Sequence, residues 1–72
     1  MEDYNSWKSG DILKCIRPTD NGVQYGKFYK VKKMIIYNRN NIQVWQDKVE
    51  LENEQKRWLG RFIKTPLTDI NI

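Results

Sequence analysis

The sequence predicts a small all-β domain, a five-stranded barrel with room for one short helical turn. Short apolar segments with two-residue alternation recur along the chain, and Gly, Pro, Asn and Asp clusters punctuate them. The 72 residues suffice for one domain, which would bury only ~60% of the surface its unfolded chain exposes. Three Trp, four Tyr and two Phe supply large buried areas, so 39% apolar residues suffice for a small core.

Residues 1–9 form a lead whose Trp7 is expected to pack over one end of the core. Ser9-Gly10-Asp11 has turn chemistry, because Gly accepts positive φ and Asp bonds nearby backbone amides. A strand follows over 12–17, in which Ile12, Cys15 and Ile16 break strict alternation, as a buried strand or a bulge would. Arg17-Pro18-Thr19-Asp20-Asn21-Gly22 is a loop. The chain resumes as a strand at Lys27, with Tyr29 and Val31 inward and Phe28, Lys30 and Lys32 outward; Met34-Ile35-Ile36 continues apolar.

An Asn-rich turn over 37–41 leads to Ile42-Gln43-Val44-Trp45-Gln46. Its clean alternation predicts a strand with Ile42 and Val44 on the core and Trp45 partly exposed. Val49 and Leu51 alternate in the same way, which favours a strand over 49–52 and a turn over 53–56. A short helix over 47–57 competes, because Glu, Gln, Lys and Leu are good helix formers. Trp58-Leu59-Gly60-Arg61-Phe62-Ile63 supplies the last turn and the closing strand, with Phe62 returning to the core. Residues 65–72 form a C-terminal tail.

A net charge of +4 hides an uneven distribution. Between Lys8 and Lys33, Lys8, Lys14, Arg17, Lys27, Lys30, Lys32 and Lys33 face only Asp11 and Asp20, whereas Asp47, Glu50, Glu52 and Glu54 gather around Lys48. Such separation suits a polyanion or a protein of complementary charge. The acids read as a solvated edge rather than a metal or acid–base pair, since no central Gly marks a calcium loop.

Catalysis is not expected. The chain has no His, which removes the commonest base near neutral pH and most zinc sites. Its single Cys15 lies in an apolar strand, where an inert core thiol is the better reading than a nucleophile. No phosphate-cradling loop is present among the scattered glycines, so neither cofactor nor metal is expected. A lone cysteine, no apolar run near ~18 residues and an acidic opening without signal-peptide pattern predict a cytoplasmic protein with no membrane role.

With these elements placed, Trp7, Gly10-Asp11-Ile12-Leu13-Lys14-Cys15-Ile16, Gly26-Lys27-Phe28-Tyr29-Lys30-Val31 and Arg61-Phe62 together resemble the small SH3-like barrel proteins of bacteriophage early genes. The resemblance spans residues 7–64. It implies an SH3-like barrel and an accessory role: binding and modulating a host protein in the host cell's cytoplasm. Many such barrels carry a Gly-containing hairpin near Lys48, whereas 50–56 here is longer and charged.

The binding residues expected for a protein partner are Lys30, Lys32, Tyr37, Arg39 and Trp45, because aromatic and Arg side chains dominate binding hot spots. An alternative is a non-sequence-specific nucleic-acid barrel using Lys27, Lys30, Lys32, Lys33 and Trp45, with lysines on phosphates and a ring for stacking. A further alternative is an assembly subunit that uses its sheet edges. The expected state is a monomer or weak homodimer.

Overall fold

A computed structural model of the chain describes residues 3–19 and 22–65. Five strands form one antiparallel sheet: β1 (Ile12–Cys15), β2 (Phe28–Ile35), β3 (Lys48–Leu51), β4 (Lys56–Trp58) and β5 (Phe62–Lys64). Their spatial order is β4-β3-β2-β1-β5. The central strand β2 is shared: residues 28–30 pair with β1 and residues 31–35 with β3. Both ladders drape over one core of Trp7, Leu13, Cys15, Val23, Val31, Val49, Leu51, Leu59 and Phe62.

β2 begins as expected, whereas β1 stops at Cys15, short of the strand expected over 12–17, and alternates cleanly with no bulge. Leu13 and Cys15 point into the core while Ile12 and Lys14 take the other face. Gly10, at φ +95°, makes the entry turn that an L side chain would strain, and its N–H donates to the Val31 carbonyl at 2.9 Å. Asp11 Oδ2 accepts from the Lys8 N–H at 2.9 Å, which is the backbone bond its position predicts. Tyr29 leans inward against Phe62, ring centroids 6.2 Å apart, and its hydroxyl accepts from the Gln24 N–H. Trp7 is buried and packs on Tyr4 at 4.8 Å.

A bulge at Lys32 changes the second half of β2. Val31 pairs with Leu51 and Lys33 with Glu50, so Lys32 is an extra residue with no opposite partner. Without it, alternation would drive Lys33 into the core. With it, Lys32 and Lys33 are both exposed and Met34 packs on the core.

Two further expectations need correction. Residues 42–43 are irregular and 44–46 form a turn, not a strand. The cause is Asp47, whose buried carboxylate accepts from the Tyr37 N–H at 3.2 Å and the Gln43 N–H at 3.3 Å. A local acceptor of this kind offers the backbone an alternative to a ladder. Ile42 and Val44 still pack against the core, and Lys56–Trp58 supplies the fifth strand instead. The barrel is also not closed. β4 and β5, three residues each, are the two sheet edges, and the 3-10 turn Leu59–Arg61 carries the chain from one ladder to the other.

Residues 48–51 form a strand rather than a helix, with Val49 and Leu51 buried. Its turn into β4 closes through the Leu51 N–H to the Gln55 carbonyl at 2.8 Å. Glu54 takes the left-handed conformation there, at φ +70°, where a glycine would be relaxed. Of the expected tail only Thr65 is described; residues 66–72 and the Asp20-Asn21 part of the loop lie outside the described residues.

Candidate binding surface

The lysines of β2 face carboxylates supplied by β3 and the turn after it. Lys30 Nζ lies 3.9 Å from Glu52, Lys32 Nζ 3.5 Å from Glu50 and 3.9 Å from Glu54, and Lys33 Nζ 3.8 Å from Glu50. The bulge is what lets two consecutive lysines reach one glutamate. Glu50 is not part of a solvated edge: its side chain is 10% exposed beneath the two ammonium groups. Asp47 is likewise buried and committed to backbone amides. The positive face anticipated on β2 is therefore largely cancelled by three glutamates. Lys27 lies exposed just ahead of β2, and its carbonyl accepts from the Cys15 N–H at 3.0 Å.

The remaining expected residues sit elsewhere. Tyr37 is 69% exposed at the start of the 37–47 loop. Arg39 reaches the N-terminal 3-10 turn, Nη1 donating to the Asn5 carbonyl at 3.5 Å. Trp45 lies in a turn, so it shares no sheet face with Lys30 and Lys32.

Trp45 belongs to a different constellation. Its ring lies flat against Gly60: a Cβ built there would fall 2.9–3.0 Å from indole carbons, closer than real side chains approach. Two backbone bonds lace the loop to this turn, the Gly60 N–H donating to the Val44 carbonyl at 2.9 Å and the Leu59 N–H to the Asp47 carbonyl at 3.1 Å. Asp47 thus fixes the loop with its carboxylate and anchors the turn with its backbone. Trp45 remains 51% exposed in this clamp.

One arginine lies beside the ring, and a second is tied to the segment that carries the first. Arg17 Nη1 donates to the Gly60 carbonyl at 2.8 Å, and its guanidinium carbon lies 5.7 Å from the Trp45 ring centroid, a cation–π distance. Arg61 Nη1 donates to the carbonyls of Arg17 at 3.2 Å and Pro18 at 3.0 Å. Among the described residues neither arginine has a carboxylate at ion-pair distance. Both positive charges are held by backbone carbonyls, which fix position without neutralising charge.

Beneath them lies Cys15, fully buried. Burial pushes its thiol above the ordinary value, opposed by the Arg17 backbone hydrogen bond and the Arg61 charge. That makes it the core thiol its sequence position implies. Among the described residues no three His, Cys, Asp or Glu side chains converge to hold a metal, and no helix is long and apolar enough to cross a membrane.

Sequence reasoning singled out Trp45 but missed Arg17, Gly60 and Arg61 as its companions. No local pattern links them, since Arg17 and Gly60 are 43 residues apart. Comparison of the chain with protein-family models, curated proteins and solved structures finds no match.

Proposed function

We propose that this chain is a small non-enzymatic binding protein whose contact surface is the Trp45 corner, with Arg17 and Arg61 beside it, and whose ligand is another protein. The observation that carries this reading is a half-exposed indole packed on Gly60 with the Arg17 guanidinium beside it and Arg61 tied to the same segment, neither arginine having a carboxylate at ion-pair distance among the described residues. Trp and Arg are the side chains most enriched at binding hot spots, and a rigid ring loses little entropy on contact. The resemblance to phage SH3-like barrels makes the partner a host protein that the chain modulates in the host cytoplasm.

The nucleic-acid alternative has weaker support. Of its residues Lys27, Lys30, Lys32, Lys33 and Trp45, the three lysines on β2 are matched by glutamates, Trp45 shares no sheet face with them, and Lys27 alone stays exposed without an ion pair among the described residues. Affinity recovery from nuclease-treated host lysate tests the reading. The expected result is one partner that Trp45→Ala loses and Lys30→Ala/Lys32→Ala retains, with both variants folded. Retention by Trp45→Ala would remove the corner from the contact.

A further inference from the structure

We infer that the partner presents an extended acidic segment to this corner, placing carboxylates on Arg17 and Arg61 and an apolar side chain on the open part of Trp45. This rests on the proposed protein-binding role of the corner and adds the chemistry of what it binds. Three observations carry it.

The donors are preorganised. An arginine has five N–H donors in a planar fork, and here Nη1 of each guanidinium is spent on backbone carbonyls while Nη2 has no partner among the described residues. Those carbonyl bonds fix each fork before a ligand arrives, which lowers the ordering cost of a charge-assisted contact.

The positive charge is also local. Lys30, Lys32 and Lys33 are cancelled by Glu50, Glu52 and Glu54, so unmatched cations do not continue along β2 as a backbone-tracking groove would require. Two arginines in one small region can take a pair of carboxylates, but they do not make the extended track that successive phosphates would need. Finally, the half-exposed indole beside Arg17 offers apolar area next to the charge, as an acidic segment interrupted by Leu or Pro would use.

The test is an NMR titration of the full chain with three probes: a short capped peptide of Glu, Leu and Pro, its counterpart with Gln for every Glu, and oligo-dT of similar length. The Glu peptide is expected to shift the Trp45 indole N–H and the Arg17 and Arg61 amides, and to weaken with added salt. The Gln peptide should bind at least about tenfold more weakly, and Arg17→Gln/Arg61→Gln should lose about tenfold toward the Glu peptide. The Gln peptide keeps the test intact if the double variant misfolds, because it alters only the ligand.

Equal binding of the Glu and Gln peptides, or no shift at the corner with either, would overturn the inference. So would oligo-dT moving these resonances while the Glu peptide does not. If Trp45→Ala loses the recovered partner but the Glu-to-Gln exchange changes nothing, the acidic-segment inference fails and the protein-binding role stands.

Discussion

The outer face of β2 and the Trp45 corner are both cationic, yet they use their charges in opposite ways. On β2, Lys30, Lys32 and Lys33 reach across to the adjacent strand and turn, and Glu50, Glu52 and Glu54 take up their charge. At the corner, Arg17 and Arg61 hang on the carbonyls of Gly60, Arg17 and Pro18. The first arrangement joins two strands and leaves little field; the second holds its charges in place with no carboxylate at ion-pair distance among the described residues. The lysines of β2 thus serve the scaffold, and the proposed contact surface draws on two arginines far apart in the chain.

Asp47→Ala breaks this comparison most severely. It strips the acceptors from the Tyr37 and Gln43 amides, each costing ~1–3 kcal/mol if left unsatisfied in a buried site. A loss of about 2–4 kcal/mol in chemical denaturation is expected, together with loss of partner binding, because the loop that presents Trp45 loosens. Full stability in this variant would show that the carboxylate does not organise the loop.

Neutralising Glu50 sharpens the contrast from the other side. Glu50→Gln keeps the shape but releases Lys32 and Lys33, so about 1 kcal/mol of stability should go, discounted for the exposure of the lysines. Weak, salt-sensitive binding to oligo-dT should emerge that the parent lacks, measured by fluorescence anisotropy at low salt. Equal binding by parent and variant would mean that the glutamates do not mask the strand.

The smallest effect concerns the turn behind those glutamates. Glu54→Gly relieves a left-handed residue at φ +70°, a strain of ~1 kcal/mol. It gives up only a long, exposed contact with Lys32 at 3.9 Å, worth a few tenths of a kcal/mol at most. Thermal unfolding should show a gain of about 0.5–1 kcal/mol, and a net loss would show that the ion pair outweighs the backbone strain.

The fold was legible wherever side-chain alternation and burial agree. Tyr29 and Val31 on β2 and Val49 and Leu51 on β3 face inward as their spacing requires, whereas on β1 the apolar Ile12 and Ile16 obscured the Leu13–Cys15 alternation that the structure shows. Alternation misled at 42–46, where Ile42 and Val44 do touch the core but Asp47 captures the amides that a ladder would have used. β4, reading Lys56-Arg57-Trp58, has no alternating signal and exists because β3 offers it a partner. The bulge left one trace, the adjacent Lys32 and Lys33, which an unbroken strand cannot place on one face.

The binding surface was less legible for a related reason. Trp45 stands out as an aromatic with no obvious place inside, but its companions come from the ends of β1 and the turn before β5. Only the folded chain brings Gly60 and Arg17 to the ring and ties Arg61 to the Arg17 segment. Gly60 could be read from the sequence as a bend; its role as the flat seat of an indole could not.

The central claim is that the corner, and not the lysine strand, makes the contact. Calorimetric titration of the recovered partner against Trp45→Ala and Lys30→Ala/Lys32→Ala, each checked for folding, measures it directly. The account predicts at least about a thirtyfold loss of affinity for the tryptophan variant, equivalent to ~2 kcal/mol, and less than about twofold for the lysine pair. The reverse order, with the lysine pair losing the partner and Trp45→Ala keeping it, would contradict the account.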